Sequence, residues 1–233
     1  MRKPFDIACV TGSIPSILRA LPVTLELAAI STLLGAAIGL LLAWARLSRS
    51  PAARATAGGL VSFLRGTPPL AQLFLAFYGL PLLLGRAGLE IGAWPKLAFA
   101  VIAFSLNAGG FLAEIARASY LAVDPGQREA ALSVGLGPFQ ALRRIVAPQA
   151  ARIAMPNIGN SLIGLLKETS LAYSIGVIEL TGQAQIVAAR GYGARQFETL
   201  LGLALVYWVM CLGLERIVAL AEERLGRHSR QAA

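Results

Sequence analysis

Lys167-Glu168-Thr169-Ser170 sets two opposite charges and two hydroxyls side by side inside an apolar run. A charge at the bilayer centre costs about 2.5–3.5 kcal/mol on insertion scales, so these residues are expected to face a wet interior rather than lipid. Adjacent helical residues point in different directions, which makes a mutual Lys167–Glu168 salt bridge a poor explanation and predicts an unwound segment near Thr169 and Ser170. Such a segment offers Glu168 and backbone carbonyls to an ammonium, and Lys167 or backbone amides to a carboxylate. That is chemistry for holding a zwitterion. A structural reading stands beside it, in which the pair only ties this span to a neighbour. Gln72, Asn107 and Glu114 are further polar candidates in other apolar runs. Asn107 and Glu114 are seven apart, nearly on one helix face; the plainer reading of Glu114 and Arg117 is a helix end at the headgroups.

Bond-breaking chemistry finds little support. Ser161 and Lys167 are six apart in one run, the start of a serine–lysine pair, but no Gly-x-Ser-x-Gly elbow frames the serine. Cys9 and Cys211 lie far apart and indicate neither a disulfide framework nor a metal site. His228, the single histidine, reads as a solvated terminal residue. No Gly-x-x-x-x-Gly-Lys-Ser/Thr occurs, so any ATP must be handled by a partner; no catalytic residue, metal or cofactor is expected.

The elements that must position these residues are membrane helices. The 233 residues are 56% hydrophobic and 14% charged, with a mean hydropathy of +0.66. That is too apolar for an ordinary soluble domain. A span needs about 20 apolar residues to cross roughly 30 Å of hydrocarbon, leaving room here for about five. The net charge of +9 would suggest nucleic acid in a soluble protein, but no aromatic–basic interleaving or nucleic-acid motif accompanies it. Membrane topology explains the arginines better.

The fold class is therefore all-α membrane, with spans expected at about 22–45, 60–84, 97–118, 153–178 and 199–220. An N-terminal segment, 1–19, precedes them and a tail, 221–233, follows. Arg2 and Lys3 resemble a signal-peptide start, but the next apolar run is too long for a signal core. Gly35, Ala36, Ala37 and Gly39 in the first span allow another helix close. Arg46, Arg49 and Arg54 make a basic loop. In the second span, Arg65-Gly-Thr-Pro-Pro-Leu-Ala-Gln72 contains a break whose freed backbone groups must face protein or a water-filled vestibule. Residues 179–197 read as a loop, and Tyr207 and Trp208 in the last span as packing or lipid-facing aromatics.

One polar, basic island, 124–148, interrupts the apolar runs. It reads as two short helices joined by a glycine elbow. Asp124 is the first cap, Pro125 suits a first helical position and Gln127 stands where a capping box needs it. Gly135 and Gly137 stop that helix by reaching left-handed φ, presenting Leu136 at the tip. Pro138 opens the second helix, with Phe139, Leu142 and Ile145/Val146 on one face and Gln140, Arg143 and Arg144 largely opposite; Pro148 marks its end.

Glu129-Ala130-Ala131, Gly135, Ile145 and Pro148, at their spacing, resemble the EAA loop of ABC-importer permeases, with Ala147 where leucine commonly precedes the proline. Arg65-Gly-Thr-Pro with Gln72, Asn107-x-Gly-x-Phe-x-x-Glu114-Ile-x-Arg117 and Lys167-Glu-Thr-Ser-Leu are similar to the polar amino-acid permeases within that group, with Pro69 replacing a leucine. The resemblance spans about Ala20 to Leu220. It implies a type I (MetI-like) importer permease whose elbow, through Glu129, Ala130, Ala131, Gly135, Leu136 and Gly137, is a coupling helix seated on a cytoplasmic ATPase. It further implies a second permease subunit, identical or not, two ATPases and a periplasmic amino-acid-binding protein, in the bacterial inner membrane. Placing the N-terminus outside puts most loop arginines inside, so the elbow and C-terminus are expected to be cytoplasmic. An importer for another small solute, a stand-alone channel or carrier, which leaves the elbow unexplained, and an intramembrane enzyme remain as alternatives.

Overall fold

The computed structural model describes residues 5–190 and 193–230, and every regular element among them is helical. In order these are α1 (Ile7–Leu47), α2 (Pro51–Gly66), α3 (Pro69–Arg86), α4 (Lys96–Leu121), α5 (Pro125–Ser133), α6 (Pro138–Ile175), α7 (Leu180–Arg190) and α8 (Gln196–Arg230). α1, α3, α4 and the part of α8 up to Arg224 are each long and apolar enough to cross a membrane; α6 and α7, bent by 53°, make a fifth span if taken together.

α4 is the central helix. Phe99, Ala100, Ala103, Phe104 and Ala108 bury in one apolar cluster with Leu27 of α1, Leu73 and Ala76 of α3, and Leu165, Ala172 and Ile175 of α6. Lipid is as apolar as these side chains, so close backbone approach must add to the helix association. The small residues of the first span supply it. A Cβ added at Gly35 would stand 2.8 Å from Ala108 Cβ, and one at Gly39 would stand 2.9 Å from Leu112 Cβ. Arg46, in the last turn of α1, meets Glu114 near the end of α4, so both helices run toward the elbow. Gly202 of α8 packs on Ser13 and Val10 of α1 at the opposite, far end.

The helices depart from the expected spans in four places. Residues 7–19 are not separate: they continue as one 41-residue helix with the first span. At 1.5 Å per residue that helix is about 60 Å long, twice the hydrocarbon thickness. Its first turns pack on α7 and α8 instead of crossing. The second span is two helices, because Pro68 and Pro69 interrupt the backbone ladder. The first half, α2, buries only the Ala57, Val61, Leu64 face, a stripe too sparse for a hydropathy reading to find. Residues 180–190, expected as loop, are helical because their first turn is fully capped; Tyr192 lies outside the described residues.

The last departure is at Pro148, where the helix does not stop. A π-turn, Leu142–Val146, precedes it, with the Ala147 N–H reaching back five residues to Leu142 O. The wider turn accommodates a residue without an N–H, and the helix runs on through Pro148.

Candidate functional site

The elbow is a rigid presentation device. Asp124 Oδ1 accepts from the Gly126 N–H at 2.9 Å, capping α5. No capping box forms with Gln127, whose Oε1 instead accepts from Gln149 Nε2 at 3.2 Å and ties α5 to α6. At the other end the Leu136 N–H donates to Ala131 O at 3.1 Å and the Gly135 N–H to Leu132 O at 3.0 Å. With Gly135 at φ +88° this is a Schellman closure, which spends the last carbonyls of α5 and fixes the chain direction. Gly137 differs from expectation: its φ is −66°, and it caps α6 with its N–H on Gln140 Oε1.

Among the expected coupling residues, Glu129, Ala130 and Gly135 are exposed, Ala131 is buried, and Leu136 and Gly137 are half-buried. Leu136 is thus not the tip. The apolar side chains most displayed are Val134, 78% exposed, and Phe139, 71% exposed. Sequence reasoning missed Val134 and placed Phe139 on an apolar face without seeing it as uncovered. Two isolated apolar residues carry no periodicity signal; only the Schellman geometry shows which way they point.

The substrate-path candidates separate into three groups. Gln72 Nε2 donates to Leu64 O at 2.7 Å and to Thr67 O and Oγ1 at 3.1 and 2.7 Å, and Asn107 Nδ2 approaches Leu64 O at 3.5 Å. Both are buried. They satisfy the carbonyls released by the Gly-Thr-Pro break, as an apolar interior requires. The break does face protein, and the amide N–H groups of both candidates are consumed in holding it, while Gln72 Oε1 stays buried with no partner among the described residues.

Glu114 is the centre of an ionic cluster. It pairs with Arg46 of α1, with Arg117 Nη2 at 2.5 Å one turn on, and at 4.0 Å with Arg65 of α2, whose guanidinium lies 5.6 Å from the Phe111 ring centroid. One carboxylate joins three helices at the elbow end. Each of its oxygens already accepts from a guanidinium, and three cations neutralise its charge, which weakens its pull on a passing ammonium.

The third group is the 167–170 motif. Thr169 Oγ1 donates back to Leu166 O and Ser170 Oγ to Lys167 O, both at 2.7 Å. The backbone does not unwind there; it tightens into a 3₁₀ run, Thr169–Ile175, that closes on Gly176 at φ +83°. Short hydroxyl side chains competing for carbonyls three residues back favour that tighter turn. Lys167 is exposed, Glu168 half-buried, and no ion pair joins them among the described residues. The neighbouring Leu165 and Ala172 share the core cluster with Leu73, beside Gln72, and Ala108, beside Asn107. The motif therefore borders the same core, but only Lys167 and Glu168 have side chains still unengaged.

Glu179, to which the sequence reading gave no role, is fully buried between α6 and α7. Its oxygens accept from the Thr181 and Gly182 N–H groups and from Tyr207 Oη of α8, each at 2.9 Å. The Leu180 N–H goes to Thr24 Oγ1 of α1 at 3.1 Å, so the opening donors of α7 all have partners. Tyr207 is accordingly more than a packing aromatic. A glutamate just before a helix start was the available signal.

Comparison with known proteins agrees with this architecture. Residues 35–227 match the model of the binding-protein-dependent transport system inner membrane component family. The chain is 39% identical over 228 residues to the L-cystine transport system permease protein TcyL of Bacillus subtilis (strain 168), covering 98% of this chain and 95% of that one. It superposes on a chain of a crystal structure of an amino acid ABC transporter with histidines at a TM-score of 0.82 and 34% identity, covering 95% of this chain and all of that one. The inward-facing MetNI methionine ABC transporter shares the fold at a TM-score of 0.66 and 21% identity, over 87% of this chain and 94% of that one. The chain belongs to the binding-protein-dependent transport system inner membrane components, built on the type I, MetI-like importer permease fold.

Proposed function

We propose that the chain is the membrane-spanning permease subunit of an ATP-binding cassette importer for a polar amino acid in the bacterial inner membrane. It works with a second permease subunit, two cytoplasmic ATPases and a periplasmic amino-acid-binding protein. The elbow end is cytoplasmic and the far end periplasmic, the orientation favoured by the arginines clustered at α1, α2 and the elbow. The chain catalyses no reaction of its own.

The observation that carries this reading is the elbow. A Schellman-locked turn displays Val134 and Phe139 beside Glu129 and Ala130 on a chain with no nucleotide-binding loop. Exposed apolar residues on a rigid support suit a groove in a partner protein. Glu129, Ala130, Ala131, Gly135, Leu136 and Gly137 form the coupling element, with Ala131 and Leu136 packing it from within. Closure of the ATPases on ATP moves the elbow, and the bundle follows because α5 is tied to α6 through Gln127 and Gln149. Along the substrate path, Lys167, Glu168, Thr169 and Ser170 border the route. Gln72, Asn107 and Glu114 shape it through the backbone and ionic contacts described above.

The test is ATP-dependent uptake of labelled amino acids by proteoliposomes holding the permease, its ATPase and its binding protein. Gly135→Val forces a β-branched residue to φ +88°. It is expected to leave the complex assembled and hydrolysing ATP while uptake falls to background. Normal coupled uptake by that variant would remove the coupling role.

A further inference from the structure

An open cleft of about 520 Å³ lies at the far end, between the π-turn Leu75–Gly79 of α3, the first residue of α4 and the end of the 3₁₀ run that follows Glu168. Phe77, Tyr78, Lys96, Tyr173, Ser174 and Gly176 line it. Trp94, half exposed two residues before Lys96, marks this level as the membrane–water interface.

Lys96 is the one cation in the lining, and the lining holds no acid. Lys96 makes no hydrogen bond or ion pair among the described residues, although it stands in the first turn of a helix, where the dipole disfavours a positive charge. The backbone makes room for it: a Cβ on Gly176 would stand 2.6 Å from Lys96 Nζ. The hydroxyls of Tyr78 and Tyr173 also have no hydrogen-bond partner among the described residues, whereas Tyr207 of α8 has one. Phe77 and Tyr78 pack edge-to-face, with ring centroids 4.9 Å apart, and Tyr78 is 64% exposed. The cleft thus combines an unneutralised ammonium, two free phenol donors and an open aromatic face, in a volume of the size that small ligands occupy.

We infer that this cleft is a receiving site for the zwitterionic head of an α-amino acid, ahead of the Lys167–Ser170 segment on the same stretch of α6. Lys96 Nζ and the Tyr78 and Tyr173 hydroxyls bind the carboxylate through charge-assisted hydrogen bonds. The Tyr78 ring faces the ammonium. A docking contact for an acidic side chain of the binding protein would need only a projecting lysine; two further phenol donors lining the same cleft favour a ligand that takes several hydrogen bonds. The inference rests on the reading of the chain as an amino-acid importer subunit, which its test keeps separate.

The permease–ATPase complex, reconstituted in nanodiscs without binding protein, is titrated with each of the twenty labelled protein amino acids and L-cystine. At least one is expected to bind, and its decarboxylated amine is expected not to compete. Lys96→Gln should weaken that binding about ten-fold or more, Lys96→Arg should restore most of it, and Tyr173→Phe should weaken it less. Unchanged affinity in both Lys96→Gln and Tyr173→Phe overturns the site, as does the absence of any binding when uptake with binding protein proceeds. A Lys96→Gln effect confined to the affinity of the binding protein for the complex also overturns it, in favour of a docking contact. If the wild-type complex takes up no amino acid even with its binding protein, the importer reading itself falls.

Discussion

Glu114 and Glu179 are both glutamates withdrawn from water at helix junctions, and the protein treats them oppositely. At the elbow end, Glu114 is surrounded by Arg46, Arg65 and Arg117, three cations around one anion. At the far end, Glu179 is fully buried and its oxygens meet two backbone N–H groups and a phenol, with no cation among the described residues. The first junction is ionic and partly wet, its glutamate side chain 23% exposed. The second is dry and built from hydrogen bonds. Both junctions contain hydrogen bonds, but at Glu114 the charge–charge attraction beneath them falls slowly with distance and survives a small displacement, whereas the neutral donors at Glu179 lose most of their strength with their 2.9 Å geometry. The elbow end, where the ATPase would push, therefore holds its helices by contacts that can give. The far end fixes the angle between α6 and α7.

The largest effect should come from breaking the ionic junction. Glu114→Gln leaves three guanidiniums gathered without an anion. Removing one partner of a fully buried pair costs about 3–5 kcal/mol, and partial exposure reduces this to about 2–3 kcal/mol here. Thermal unfolding of the detergent-solubilised complex should show the loss, and pairing the change with Arg46→Gln should return part of it. If the double variant is no better than the single one, mutual repulsion is not what the glutamate relieves.

Glu179→Gln should cost somewhat less, about 2 kcal/mol. The carboxamide turns one acceptor into a donor, and either the Gly182 N–H or the Thr181 N–H with Tyr207 then faces an N–H. Tyr207→Phe removes a single hydrogen bond and should cost about 1 kcal/mol. The comparison sharpens with salt. Raising ionic strength in the unfolding assay should shrink the Glu114→Gln deficit and leave the Glu179→Gln deficit unchanged, because screening acts on exposed charges. Equal salt dependence at the two sites would mean the far-end carboxylate has an ionic partner after all.

The sequence showed one of these junctions better than the other, for a physical reason. Membrane spans, the glycine elbow and the Gly-Thr-Pro break were legible because each depends on local chemistry: apolar length, left-handed φ and a missing N–H. Gln72 and Asn107 were visible as polar residues in apolar runs, but not their use. Their partner, the Leu64 carbonyl, is a backbone atom that any sequence contains, so no residue type announces the contact. Glu114 stood out as a charge within a span; that Arg46 from 68 residues away would neutralise it is a tertiary fact. Glu179 escaped because its run is short and its partners are neutral. α2 is merged with α3 in the sequence reading because a mixed-polarity helix of 16 residues beside an apolar one gives no boundary in hydropathy, and the Gly-Thr-Pro break reads as an interruption inside one span.

The smallest effect within the ionic junction is expected at Arg65, and it tests whether the three arginines share the work equally. Arg65 Nη1 stands 4.0 Å from Glu114 and its side chain is 43% exposed, against 22% for Arg46 and 27% for Arg117. At that distance and exposure an ion pair contributes about 0.2–1 kcal/mol, and stacking on Phe111 adds about 0.5 kcal/mol at a site this open. Arg65→Gln should therefore destabilise the complex by less than about 1.5 kcal/mol, less than either Arg46→Gln or Arg117→Gln in the same unfolding assay. Arg65 also closes the last turn of α2, one residue before the broken segment that Gln72 and Asn107 hold, so its loss should be felt in the register of that break. The sign of a shared load would be an Arg65→Gln deficit as large as that of Arg46→Gln. In that case the junction is a three-way clamp, and the contrast with the hydrogen-bonded far end lies in its number of partners and not in its tolerance of displacement.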